Sequence, residues 1–207
     1  MTKIKKDCFG YDLYYAMHKG NIFERVWHKT RIKRLLKSLD YRNKKIIEIG
    51  CNTGPVMIPF LKNGYNITGI DISKNDVFKA RNNIIENGIK KSNLCAANAS
   101  FIPFKDNTFD TALLIDLLEH TSRPDIIAEE VHRILKEEGK ALVAVPWKMH
   151  PVWNPFIKKV MSGRKNIDEV PDNFLSFKDL KNIFCEFKLE EISLKVFFAW
   201  ILAIFKK

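Results

Sequence analysis

IIEIGCNTGPVMIPF, residues 46–60, sets three isoleucines and one acid against a turn framed by Gly50 and Gly54, with Pro55 directly after it. A short apolar run bounded by glycine reads as a buried strand. Glycine at positions 50 and 54 lets the backbone turn sharply and approach a ligand where a Cβ would intrude. Asn52 lies between them, and Asn is among the few residues that tolerate left-handed dihedrals. Pro55 suits the first turn of a helix, so a helix is expected over Pro55–Asn63 with its first amides facing a ligand.

The same alternation continues outward. Lys45–Ile49 and Asn66–Ile72 read as strands. Ser73 and Asp76 offer a capping-box-like start to a helix whose Val77, Ala80 and Ile84 share one face, and Gly88 ends it. Leu94–Ala97 is a short strand, and Phe109–Ile115 is apolar enough to be covered on both sides. Pro124 opens a helix with Ile127, Val131, Ile134 and Leu135 as its stripe, closed by Gly139. Lys140–Val145 is the next strand, Ser176–Glu186 a helix, and Phe187–Leu194 and Val196–Phe205 the closing strands. Repeated βα units of this kind specify an α/β fold with a doubly wound, mostly parallel seven-stranded sheet, whose ligands bind beyond the carboxyl ends of the strands.

Residues 147–173 break the rhythm. They are too long and too rich in Pro and Trp for a tight connection, and are expected to form an insertion near the active site. The organisation is therefore an N-terminal basic and aromatic helical arm over 1–43 and an α/β domain over 44–207.

Composition narrows the class. The chain has 207 residues, 46% apolar and 29% charged, which is the profile of one globular domain. The N-terminus lacks the apolar run of a signal peptide and no stretch is long enough to span a bilayer, so a cytoplasmic protein is expected. Cys8, Cys51, Cys95 and Cys185 are widely spaced with no C-x-x-C pair, which suggests reduced thiols rather than a zinc or disulfide framework. The net charge of +11 sits unevenly: residues 1–45 hold 13 Lys/Arg against 4 Asp/Glu. Such an arm could meet an anionic substrate, nucleic acid or an acidic membrane, or be a solvated helix face.

Asp71 closes the second strand, where a carboxylate can accept both hydroxyls of a ribose. The G-x-G-x-x-G fingerprint of dinucleotide enzymes is missing. Glu48 with the Gly50–Gly54 loop suits a nucleoside that carries an ammonium and no pyrophosphate.

Six ordered motifs carry a resemblance: EIGCNTG (48–54), GID (69–71), ANAS (97–100), IPFKDNTFD (102–110), LLEHTSRP (117–124) and ILKEEGKALVAVP (134–146). Over residues 40–192 the chain resembles class I S-adenosylmethionine-dependent methyltransferases, and FDTALLIDLLEH is most similar to the ubiquinone-biosynthesis O-methyltransferases. The resemblance implies that Glu48 lies near the methionine ammonium, that Gly50, Asn52 and Gly54 shape the cofactor loop, that Asp71 holds the ribose with Ile72 beside it, and that Ile115 contributes from strand four. Asn98, next to Ala99, matches an aspartate that commonly meets the adenine amino group. It can accept that hydrogen bond through its side-chain oxygen, or simply be a turn residue.

Asp116, Glu119 and His120 fall at i, i+3 and i+4, so a helical turn would put them on one face. His120 and Asp116 are the candidate catalytic residues, with His120 suited to general-base work. The favoured reading is metal-free. The alternative is a divalent cation held by Asp116, Glu119 and His120, with His150 as a further ligand, lowering a hydroxyl pKa. The resemblance also implies that some O-methyltransferases hold a metal this way.

The acceptor is read by exclusion. There is no Asn/Asp-Pro-Pro-aromatic element after strand four and no Pro-Cys pair, which argues against base methylation and leaves a ribose hydroxyl open. The arm interleaves Tyr11, Tyr14, Tyr15, Phe23 and Trp27 with Arg25, Lys29, Arg31, Lys33 and Arg34. That mixture could stack on and pair with RNA, but the favoured reading is the one the family resemblance implies, a lid folded over the cofactor with aromatics inward and cations outward. Val196–Phe205 is expected inside the sheet. A tail resting on a membrane is the alternative, and with Trp147, Trp153 and Phe156 it makes a hydrophobic acceptor plausible. The expected function is methyl transfer to an oxygen of a small hydrophobic or anionic molecule. An RNA ribose or end methyltransferase and a catalytically inactive cofactor-binding module are the alternatives, with the oligomeric state left open.

Overall fold

The computed structural model describes residues 13–20, 22–147, 174–195 and 200–207. Seven strands form one sheet in the order β3-β2-β1-β4-β5-β7-β6. They are β1 (Lys45–Ile49), β2 (Asn66–Asp71), β3 (Asn93–Ala96), β4 (Phe109–Ile115), β5 (Leu135–Pro146), β6 (Lys188–Lys195) and β7 (Trp200–Lys206). Pairing is parallel from β3 through β5, and β7 runs antiparallel between β5 and β6. The winding reverses between β1 and β4, which opens a crevice beyond their carboxyl ends.

The period of two in each strand divides the core. Ile47, Ile49, Ala112, Leu114, Val143 and Ala203 pack on one face, with helix α5 (Pro124–Ile134) and helix α6 (Phe177–Ile183). Ile46, Leu113, Ile115, Leu142 and Leu202 pack on the other, against α3 (Met57–Lys62) and the N-terminal helices α1 (Leu13–Lys19) and α2 (Ile22–Leu35). Glu48 shares the Ile46 face by the same alternation. Trp200–Phe205 are all buried, so these residues fill the two cores as a strand.

The helix α4 (Lys74–Glu86) forms as its pattern requires: Ser73 caps it by accepting from Asp76 N, and Val77, Ala80 and Ile84 are buried. Ser176 and Asp179 complete a reciprocal capping box on α6. Several boundaries differ from the sequence reading, among them the end of α6, which stops at Ile183 rather than Glu186. α3 begins at Met57 rather than Pro55, because Gly54 and Pro55 are spent on the loop, although Ile58 N already donates to Gly54 O at 3.1 Å. α5 ends at Ile134, and Leu135 opens β5 by pairing with Phe109. Gly139 therefore closes no helix. It sits inside a strand irregularity where Glu138 takes φ 67° and a Cβ on Gly139 would lie 2.7 Å from Lys136 O.

Most of the 147–173 insertion, including His150, Trp153 and Phe156, lies outside the described residues, as do Cys8, Tyr11 and residues 196–199. Trp147 packs against the core.

Gly69 on β2 is a point of close approach. A Cβ there would come within 2.3 Å of Met57 Sδ, 2.9 Å of Cys51 Sγ and 3.0 Å of Leu94. Gly69→Val is expected to lower stability by about 1–3 kcal/mol through overpacking, read as a lower urea midpoint, with partial rescue by Met57→Ala.

Candidate functional site

The loop after β1 has the geometry its residues permit. Gly50, Asn52 and Gly54 take φ values of 78°, 46° and 83°. Gly50 N and Cys51 N both donate to Ile70 O, at 2.8 and 2.9 Å, which folds the loop back on β2. Asn52 Oδ1 accepts from Thr53 N, and Thr53 O accepts from Asn83 of α4 at 2.9 Å. The left-handed turn is thus tied to strand β2 and helix α4.

Asp71 makes the decisive tie. Its Oδ2 accepts from Asn52 N and its Oδ1 from Ser73 N, each at 2.9 Å. One carboxylate so bridges the loop and the start of α4. Burial pushes this carboxyl above its ordinary value, opposed by those backbone donors. Beside it Ile72 is 73% exposed, an apolar side chain left open at the crevice edge. Glu48 lies beneath the loop, 2% exposed, with Oε2 lacking a hydrogen-bond partner. Its carboxyl is raised well above the ordinary value by burial and then by the nearby Asp71 charge, with Arg31 acting in the opposite direction.

Asn98 is used as a turn residue. Its Oδ1 accepts from Ser100 N at 2.9 Å and its carbonyl from Phe101 N. Ala99 packs partly buried against the core, and Ile115 is buried at the end of β4. These residues flank the same carboxyl edge as Asp71, whose carbonyl accepts from Ala97 N.

Asp116 follows β4 with φ 52° and precedes the 3-10 turn Leu118–His120 instead of belonging to it. The expected helical face of Asp116, Glu119 and His120 is therefore not formed. Asp116 Oδ2 accepts from the Arg31 guanidinium, and Oδ1 accepts from Trp200 Nε1 at 2.8 Å. Arg31 also lies over the Trp200 ring, 4.6 Å from its centroid. Glu119 is 1% exposed with Oε2 unpartnered, and His120 is half-buried. Burial, then the Asp116 charge, hold the Glu119 carboxyl well above its ordinary value. Among the described residues no group of three His, Cys, Asp or Glu side chains is arranged to hold a metal ion.

Residues 47–143 match the family model of the methyltransferase domain. Over that stretch, just under half of its length, the chain is similar to methyltransferase domains. It is 32% identical over 102 residues to a sterol 4-C-methyltransferase of Caenorhabditis elegans, covering 49% of this chain and 30% of that protein. It is 27% identical over 97 residues to the ubiquinone biosynthesis O-methyltransferase of Idiomarina loihiensis, covering 47% and 40%. The chain spans less than half the length of the first curated relatives it matches, 30%, 42% and 46% of them. Among solved structures, the magnesium protoporphyrin IX methyltransferase of Synechocystis PCC 6803 with bound SAH superposes with TM-score 0.72 at 15% identity, covering 94% of this chain and 91% of that one. That likeness fixes the fold.

The crevice fits the cofactor of such a domain. An orphaned carboxylate oxygen on Glu48 suits an ammonium, and the Asp71 oxygens retain lone pairs for hydroxyls beyond the two amides they accept.

Sequence pattern does not separate Arg31 from the other cations of the arm, and a lid with every cation outward misplaces it. It is 4% exposed, while Arg25, Lys29, Lys33 and Arg34 are exposed. The available signal is its spacing, three residues after His28 and four after Trp27, on the same inward stripe as Ile32 and Leu35. Trp200 and the loop-bracing Asn83 also escape a sequence reading, since neither lies in a motif. Leu117 does lie within one, but its contact with Gly50, where a Cβ would sit 3.0 Å from Leu117 Cδ1, is visible only in three dimensions.

The raised Glu119 carboxyl has a pH consequence. Its folded pKa lies above the ordinary 4.5, so its stabilising contribution is complete below 4.5 and is lost as pH rises through the folded value. Glu119→Gln is expected to match the native protein near pH 4.5 and to melt a few degrees higher above neutrality, at roughly 2–4 °C per kcal/mol recovered. Thermal melts across pH 4–8 check it. Arg31→Ala should do the opposite, since it leaves Asp116 without its cation and lowers Tm at neutral pH.

Proposed function

We propose that the protein transfers the methyl group of S-adenosylmethionine to an oxygen of a small hydrophobic or anionic acceptor. The observation that carries this reading is the buried Glu48, whose Oε2 lacks a partner, under a left-handed loop whose open end is tied to Asp71. On this reading Glu48 meets the ammonium, Gly50, Asn52 and Gly54 admit the amino-acid part, Asp71 accepts the ribose hydroxyls, and Ile72, Asn98 and Ala99 border the base, with Ile115 as floor. Relatives named for a sterol and for ubiquinone biosynthesis support an apolar acceptor.

When bound, the sulfonium supplies an already activated methyl group, so the chain's main work is positioning. Asp116 and His120 follow β4 directly, beside the glycine loop. The Asp116 oxygens each accept from a donor, and on this reading the His120 imidazole takes the proton released by an acceptor hydroxyl. Asp116 then acts by fixing Arg31 and Trp200 as one wall of the crevice. The arm supports a lid over an RNA platform, because Trp27 packs on Trp200 at 5.4 Å and the Tyr14 hydroxyl accepts from Asn87.

Calorimetry is the test. S-adenosylmethionine should bind and NAD should not, and Asp71→Ala should weaken the cofactor at least tenfold, on the order of the 1.5–3 kcal/mol of a hydrogen bond to a charged group. Glu48 must lose its proton to pair with an ammonium, so binding should release up to one proton and strengthen as pH rises. Titration in buffers of different ionisation enthalpy measures that release, which Glu48→Gln should abolish. Equal affinity in Asp71→Ala, or tight binding of NAD, would overturn the assignment.

A further inference from the structure

Helix α2 has two unlike faces. Trp27, His28, Arg31, Ile32 and Leu35 turn toward the sheet and the crevice. The opposite stripe carries Ile22, Arg25, Val26, Lys29 and Lys33, at i, i+3, i+4, i+7 and i+11. All five are exposed, Ile22 by 63% and Val26 by 53%. The stripe holds no acid. None of its three cations has a carboxylate partner among the described residues.

An exposed stripe of branched aliphatics interleaved with unpaired cations is the inverse of an ordinary solvated helix face. Among the described side chains, the aromatic rings that single-stranded nucleic acid would need for stacking are not on it: Trp27 is against Trp200, and Tyr14 lies near His18 and binds Asn87. What remains is apolar side chains of membrane-inserting size with positive charge around them, complementary to an acidic lipid surface.

We propose that this face of α2 docks the protein on an anionic membrane, Ile22 and Val26 entering the acyl boundary while Arg25, Lys29 and Lys33 meet headgroup phosphates. The proposal deepens the functional reading, on which it rests, by placing the apolar acceptor in that membrane. The same helix delivers Arg31 to Asp116, so the docking face and the crevice wall are two sides of one rigid element.

The test is sedimentation of the full chain with phosphatidylcholine vesicles, with and without phosphatidylglycerol. Binding is expected only to the anionic vesicles, weakening as salt rises. The double variant Ile22→Ser/Val26→Ser should reduce partitioning roughly tenfold, and Lys29→Gln and Lys33→Gln about fivefold each. Far-UV circular dichroism and S-adenosylmethionine affinity should not change in any of them. No binding to anionic vesicles, unaltered binding in the double variant, or tighter binding to a single-stranded RNA than to vesicles would overturn the proposal. Cofactor binding is read separately: vesicle binding without cofactor affinity removes the methyl-transfer reading, and cofactor affinity without vesicle binding removes only the membrane face.

Discussion

The Asp71 carboxylate holds the crevice in shape. Two strands that merely lie side by side do not define a ligand loop. The loop is defined because one oxygen takes the amide of Asn52 and the other the amide of Ser73. Those bonds fix the left-handed step at Asn52 on one side and the capped start of α4 on the other. Gly69, two residues earlier, lets Met57 and Cys51 close over the strand. The loop amides, the packing of α3 and the exposed edge at Ile72 then all refer to one short piece of β2.

Around that piece the charges are unevenly satisfied. Glu48 and Glu119 are both buried with an unpartnered oxygen, and both feel Arg31. Arg31 itself is committed to Asp116 and the Trp200 ring. A single guanidinium from the N-terminal arm thus faces three acids drawn from β1 and the segment after β4. Desolvated acids of this sort cost stability in the absence of a counter-charge. Their presence in a crevice, not in a uniform core, is the mark of a site shaped for something other than maximal stability.

Much of this was legible from residue pattern because it obeys local rules. The buried strands alternate their two faces faithfully, Ser73 caps where expected, and Asn52 takes the positive φ its amide side chain tolerates. Where the pattern misled, a tertiary demand overrode it. Leu135 continues the apolar stripe of α5 yet pairs with Phe109 as strand. Asp116 has helical spacing to Glu119 and His120, but its positive φ removes it from their turn. Arg31 resembles its solvated neighbours in composition, and only the Trp200 ring and Asp116, more than eighty residues away in sequence, draw it inward. Contacts of such separation leave no local trace.

Cys51 illustrates how the loop's construction limits its chemistry. Its thiol is fully buried behind Gly69 and Met57, and burial followed by the neighbouring Glu48 and Asp71 charges pushes it far from ionisation. Peroxides and disulfides react with the thiolate, and this sulfur has almost none to offer. The exposed sulfur of Cys185 lies on the α6 side of the molecule. Among the described cysteines it is the exposed one, while the close packing that shapes the loop keeps the Cys51 sulfur out of the reach of oxidants.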